Sequence, residues 1–179
     1  MNRTPSPGAL DFAQLWNEAL PYARFVTEAE KNRRLWADVY RLARLPDWAI
    51  AWAEPRRIPI RMLVIAEDWC GDAVNTLPIL AKFADVMGAV EVRVLRRDEY
   101  PSVMDRYLTA GTRSIPIVIA LDADSSEMGA WGPRPSPLQE WVRAHKDTMT
   151  KEDRYREVRR WYAKDRGATT LREVLALVP

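Results

Sequence analysis

The chain has 179 residues, with 27 Lys or Arg against 25 Asp or Glu, and this balance demands neither nucleic acid nor an acidic membrane as a partner. Hydrophobic residues make up 47% of the sequence, which excludes a disordered or collagen-like chain. The single cysteine and single histidine exclude an intrachain disulfide, a Cys₂His₂ or Cys₄ zinc site and an intact Cys-x-x-Cys redox centre.

The first third of the chain has the hydrophobic spacing of helices. Thr27 and Glu30 have the spacing of a capping box, and Asp47 is suited to begin a short helix. We therefore expect residues 1–57 to form an N-terminal helical extension. The helices predicted within it cover residues 10–21, 35–43 and 47–55.

From Ile58 onward, strands and helices alternate in the pattern of an α/β layer fold. The order of elements allows right-handed crossovers to join the first three strands in parallel, with the fourth strand as an antiparallel partner. Apolar runs predict these strands at 61–66, 90–95, 115–121 and 128–131. Helical periodicity predicts helices at 71–87 and 101–108, from residue 137, at 151–164 and at 170–178.

The single cysteine, Cys70, lies between the first of these strands and the long helix that follows it. A helix N-terminus offers free N–H groups and the positive end of the helix dipole, which lower a thiol pKa. Glu67, Asp68 and Asp72 surround the thiol with negative charge, which raises the pKa. The sequence leaves open which effect is larger, and an inert, semi-buried cysteine is the alternative. Asp72 is either a general base beside the thiol or, in the favoured interpretation, an acid stabilised by the helix N-terminus.

The segment Trp-Cys-Gly-Asp-Ala at 69–73 resembles the Trp-Cys-Gly-x-Cys motif of the thioredoxin superfamily. Pro78 stands where thioredoxins have the proline that kinks the active-site helix, and Pro116 matches their cis-proline. Ala73 replaces the second cysteine of the motif, and Val64 replaces the buried acid of the family. The resemblance therefore implies that dithiol chemistry is lost, because the resolving thiol and the acid that assists it are both missing.

The resemblance implies a thioredoxin-like α/β fold, in which a central mixed β-sheet is flanked by helices. We expect this core at residues 58–146 and extra C-terminal helices at 147–179, packed on it within a single compact domain. The segment Glu-Asp-Trp-Cys-Gly-Asp at 67–72 resembles that of a bacterial thioredoxin-like group with such helical extensions.

The function that the resemblance implies is monothiol thiol–disulfide exchange or redox sensing in cell redox homeostasis. Release of a mixed disulfide then needs an external thiol, so the expected partners are a protein disulfide or a low-molecular-weight thiol such as glutathione. No cofactor or metal is expected. The nucleophile would be Cys70, and the substrate-binding residues would be Trp69, Gly71, Asp72, Ile115 and Pro116.

The alternative is a non-catalytic binding or adaptor module, in which Trp69 and Trp131 are contact residues and Cys70 is incidental. Nucleic-acid binding by the Arg-rich segment 154–166 is disfavoured, because acids interleave with its arginines as on a solvated helix face. His145 is expected at the surface. With neither a secretory signal nor a run of about 20 apolar residues, a cytoplasmic protein is expected, while the oligomeric state stays open.

Overall fold

A computed structural model describes residues 10–53 and 59–179. The predicted domain boundary at Ile58 and the predicted helix end at Pro55 lie outside these residues. The strands are β1 (Leu20–Pro21), β2 (Ile60–Ala66), β3 (Val90–Arg96), β4 (Ile117–Leu121) and β5 (Glu127–Trp131). The helices are α1 (Phe12–Glu18), α2 (Tyr22–Glu28), α3 (Arg33–Leu42), α4 (Asp47–Ala53), α5 (Gly71–Met87), α6 (Pro101–Met104), α7 (Ser136–Ala144), α8 (Lys151–Asp165) and α9 (Ala168–Leu175).

The strands form one five-stranded mixed sheet in the order β1-β3-β2-β4-β5. Strand β2 lies at its centre because its apolar run Ile60–Ala66 is buried at every position except Arg61. Helix α5 carries the chain across to β3, which pairs parallel with β2. The mixed sheet flanked by helices is the predicted α/β fold class.

The direction of β4 differs from the prediction of three parallel strands, because β4 pairs antiparallel with β2. The connection from β3 contains α6, a single turn of four residues. Such a helix spans only about 6 Å, whereas a seven-residue strand spans about 23 Å. The chain therefore stays at the carboxyl end of β3 and re-enters the sheet from there. Strand β5 pairs antiparallel with β4, as predicted.

The N-terminal segment is not helical throughout. Helix α1 ends at Glu18, and the next residues form the edge strand β1, in which Leu20 pairs with Val94 of β3. The prediction of a capping box at Thr27 and Glu30 is wrong, because Thr27 lies inside α2. Its hydroxyl donates to the carbonyl of Ala23 at 2.8 Å. The predicted pattern missed α2 because a two-residue strand that depends on a distant partner separates it from α1.

Two clusters of buried apolar side chains hold the helices in place. In the main core, Phe25 and Trp36 of the N-terminal segment are fully buried and meet edge-to-face, with ring centroids 5.4 Å apart. A smaller cluster joins α7 to α8 through Leu138, Val158 and Tyr162. Among the described residues, no helix is both long enough and apolar enough to cross a membrane.

Several predicted ends shift by a few residues. Strand β4 begins at Ile117 and not at 115, since the preceding Pro116 has no N–H to give to a ladder. Helix α6 ends at Met104, short of residue 108, and α9 spans Ala168–Leu175 in place of 170–178.

Candidate active site

Cys70 is the N-cap residue of α5, directly after the tight turn that ends β2. Only 7% of its surface is exposed, and its Sγ donates to the carbonyl oxygen of Ile115 at 3.4 Å. The Ile115–Pro116 bond is cis, as the family resemblance implied. The fold thus places the thiol beside the segment that enters β4, although 45 residues separate the two in sequence.

The sequence left open whether the pKa of the Cys70 thiol is raised or lowered, and burial decides the direction. Burial raises the pKa of the thiol to about 11, and the Asp72 carboxylate acts in the same direction. The backbone N–H groups of Ala73 and Asp72 and the Arg134 guanidinium lower the pKa by less. The thiol is therefore protonated at neutral pH.

Of the three acids near the thiol, Asp68 serves the N-terminal extension. Its Oδ2 accepts the backbone N–H groups of Glu30 at 2.7 Å and Lys31 at 3.0 Å. Its carbonyl oxygen accepts the indole N–H of Trp36 at 3.1 Å. Asp68 thereby joins the turn between α2 and α3 to the loop that carries Cys70.

Glu67 faces the turn after β3. Its Oε1 accepts the backbone N–H of Asp98 at 3.0 Å, and burial raises the pKa of its carboxyl group. Of the three acids, Asp72 has the largest effect on the pKa of the Cys70 thiol.

Asp72, two residues after Cys70, belongs to a hydrogen-bond network whose members are far apart in sequence. Its carboxylate accepts two hydrogen bonds from Arg134, from Nη2 at 2.6 Å and Nε at 2.9 Å, and one from the Tyr162 hydroxyl at 3.0 Å. Burial raises the pKa of the carboxyl group, while Arg134 and Tyr162 oppose that shift. Because three donors occupy the carboxylate, the geometry favours a structural role for Asp72 over that of a free general base.

Neither partner of Asp72 was predictable from the sequence. Arg134 lies in the proline-rich stretch 132–137, and Tyr162 belongs to a helix outside the motif. They lie 62 and 90 residues from Asp72, so no local spacing connects them.

A cavity of about 530 Å³ opens over Cys70. Trp69, with 48% of its surface exposed, forms one wall, and the Arg97 guanidinium lies 4.9 Å from its ring centroid. Of the residues predicted to bind substrate, Pro116 is buried and does not line the cavity. The lining includes the others: Trp69, Gly71, Asp72 and Ile115.

Trp131 and His145 both lie away from the cavity. Trp131 was predicted to be a contact residue, but only 9% of it is exposed, and its indole N–H donates to Glu173 at 2.6 Å. It lies on β5 where the side chain turns toward α9, which corrects that prediction. His145, which was predicted at the surface, is half-buried, because it stacks on Trp141 with ring centroids 4.4 Å apart.

Gly132 fixes the loop that carries Arg134. Its φ is +139°, and a Cβ at this position would lie 2.2 Å from the carbonyl oxygen of Pro116. Only glycine allows the two backbones to approach this closely. Among residues 10–53 and 59–179, no group of three or more His, Cys, Asp or Glu side chains is placed to hold a metal ion.

Comparisons with known proteins agree with this architecture. A family model described as thioredoxin matches residues 19–164. Among solved structures, a protein of unknown function from Pseudomonas aeruginosa is 19% identical, with a TM-score of 0.78 over 95% of this chain and 98% of its own. An HIV epitope-scaffold is also 19% identical, with a TM-score of 0.75 over 94% of this chain and 98% of its own. No curated protein matches the sequence. At this identity the two structures show a shared fold.

Proposed function

The chain belongs to the thioredoxin family, and from that membership we propose that Cys70 is a single redox-sensing thiol that forms a slowly exchanging mixed disulfide. The observation that carries the proposal is the place of its sulfur, at the N-terminus of α5, beside Ile115 and facing a cavity of ligand size. Ala73 stands at the resolving position, so no second thiol competes for the partner.

The proposed step is one thiol–disulfide exchange. The Cys70 thiol first loses its proton to solvent, and the thiolate attacks one sulfur of a bound disulfide. A bond forms between Sγ and that sulfur, the original disulfide bond breaks, and the other sulfur leaves as a thiolate that takes a proton from solvent. An external thiolate, such as that of glutathione, then attacks the partner sulfur of the mixed disulfide. A new disulfide forms between the two, and Cys70 leaves as a thiolate that takes a proton from solvent.

The raised thiol pKa argues against rapid turnover, because the thiolate is the form that attacks a disulfide. A pKa of about 11 leaves a thiolate fraction of about 10⁻⁴ at pH 7. The higher nucleophilicity of a basic thiolate offsets part of this loss, so we expect exchange about 20-fold slower than that of an ordinary thiol. A basic thiolate is also a poor leaving group, so a mixed disulfide at Cys70 should be long-lived.

The test follows mixed-disulfide formation with a small symmetric disulfide by intact mass. Because the protein has one cysteine, every adduct reports on Cys70. We expect the folded protein to react more slowly than the urea-unfolded protein at pH 7, and its rate to rise with pH up to about 11. Once formed, the folded adduct should lose its partner to added glutathione more slowly than the unfolded adduct. A folded protein that forms no adduct even at pH 10 would contradict the proposal.

A second candidate, a non-catalytic binding module, is supported by the 7% exposure of Cys70 beneath a cavity whose wall includes the exposed Trp69. The two candidates differ in the behaviour of the Cys70→Ser variant. If partners captured from solution are held equally by wild type and by this variant, binding is non-covalent and the second candidate is correct. If the variant loses partners that a reducing agent releases from wild type, the thiol function is correct.

A further inference from the structure

The walls of the cavity over Cys70 are strongly basic. Four guanidinium groups line it, and the one carboxylate among the lining residues is Asp72. The arginines come from separate parts of the chain: Arg97, Arg113, Arg134 and Arg159. Since the whole chain has a formal charge of only +2, this concentration is local. A concave surface of one charge sign attracts ligands of the opposite sign.

Two of these arginines have acidic partners that do not line the cavity. Arg113 binds Asp105 through two hydrogen bonds, at 2.7 and 2.8 Å, and Arg97 binds Asp98 at 2.8 Å. Both acids have exposed side chains, 48% for Asp105 and 64% for Asp98, so water screens these pairs. The two arginines are thus held in place while part of their positive field still reaches the cavity.

Arg159 of α8 is the cation that is available to a ligand. Within the described part of the chain it forms no ion pair or hydrogen bond, whereas its neighbours Arg156 and Arg160 pair with Asp153 and Glu157. It lines the cavity and its side chain is exposed, so a ligand in the cavity can reach it. A planar guanidinium in this state is suited to bind a carboxylate through two parallel hydrogen bonds.

We infer that this cavity binds a small organic anion that carries carboxylate groups, with Arg159 as its main ionic contact. The volume of about 530 Å³ is that of a small-molecule site. Binding itself is independent of the thiol chemistry. The selection of anionic disulfides over cationic ones rests on the proposed function, because it requires Cys70 to react with what the cavity holds.

The first experiment measures binding without reaction. S-methylglutathione, which has carboxylates and no free thiol, is titrated into the full-length Cys70→Ser protein by calorimetry. We expect Arg159→Gln to weaken binding about tenfold or more, because a charge-assisted hydrogen bond is lost. Arg160→Gln is the matched control, since it removes the same charge one residue along α8 and should leave affinity within about twofold.

Absence of binding, or equal losses in the Arg159→Gln and Arg160→Gln proteins, would overturn the inference. So would equal affinity for inorganic phosphate, which would show a general anion site in place of a carboxylate site.

The second experiment compares two disulfides of opposite charge on the wild-type protein: oxidised glutathione, which is anionic, and cystamine, which is cationic. We expect oxidised glutathione to modify Cys70 faster, and the preference to shrink with Arg159→Gln and with added salt. Exchange at equal rates would refute the inference and leave the thiol function intact. Binding of S-methylglutathione without any exchange would refute the thiol function and leave the inference intact.

Discussion

Replacing Asp72 with Asn should lower the pKa of the Cys70 thiol and increase its reactivity. The Asp72 carboxylate raises that pKa, while the Arg134 guanidinium bound to it acts in the opposite direction. The substitution removes the negative charge and leaves the positive charge in place, so the lowering effect of Arg134 is no longer opposed by the carboxylate. Burial, which is the largest cause of the raised pKa, stays as it is.

The expected size follows from these contributions. A charge next to a titrating group shifts its pKa by about 1 to 3 units. Since burial persists, the pKa should fall from about 11 toward the ordinary thiol range without passing below it, a decrease of about 1 to 2 units. Each unit gives about tenfold more thiolate and about threefold less nucleophilicity. Alkylation at pH 8 should therefore become about 3- to 10-fold faster.

The assay is the rate of iodoacetamide alkylation between pH 7 and 11, followed by intact mass on the one cysteine. The matched control is Asp105→Asn, which removes an acid from another arginine pair, Arg113–Asp105, and should leave the thiol pKa unchanged. In Asp72→Asn, Arg134 loses an ionic partner, so stability should fall by about 2 to 3 kcal/mol. Circular dichroism is therefore needed to verify that both variants are folded.

An unchanged or raised thiol pKa in folded Asp72→Asn protein would refute this reasoning. It would mean that the carboxylate, neutralised by Arg134 and Tyr162, has no net influence on Cys70. An equal decrease in the Asp105→Asn control would also refute it, because the effect would then come from net charge and not from the contact between Asp72 and the thiol.

Three further predictions concern the supports of the site. Asp68→Ala should lower the free energy of unfolding by about 2 to 3 kcal/mol in urea titrations, because two backbone N–H groups lose their acceptor, whereas Asp68→Asn should cost less. Gly132→Ala should destabilise the protein by about 2 kcal/mol more than Gly88→Ala, since both glycines have positive φ but only the first would place a Cβ against the Pro116 carbonyl. Ala73→Cys should form an intrachain disulfide under mild oxidation, seen as the loss of both alkylatable thiols, and its failure would contradict the motif resemblance.

The part of the site that local pattern determines was predictable. The apolar run of β2 and the periodicity of α5 place Cys70 at a helix N-terminus, and α5 begins and ends at the predicted residues, Gly71 and Met87. Each of these features depends on neighbours within a few residues, so a single sequence contains the signal.

The part that depends on tertiary pairing was not predictable. The Leu20–Pro21 strand exists only because β3 offers a free edge, and the direction of β4 follows from a connection whose path no local pattern encodes. Arg134 and Tyr162 meet Asp72 from distant helices and loops, and their residue types alone indicate nothing of that meeting. The balance of charges at the thiol was therefore undetermined until burial was known.

The raised pKa and the missing second thiol make chemical sense together. For a dithiol enzyme, a thiol with a pKa of about 11 is a handicap, because its attack is slow at neutral pH. For a thiol that holds its partner, the same pKa stabilises the mixed disulfide, because Cys70 then leaves poorly. In its protonated form Cys70 makes no side-chain capping bond for α5, although a serine or aspartate there would stabilise the helix by about 1 kcal/mol. Its sulfur instead donates to the Ile115 carbonyl and lines the cavity, a position that suits the proposed thiol chemistry and adds nothing to helix capping.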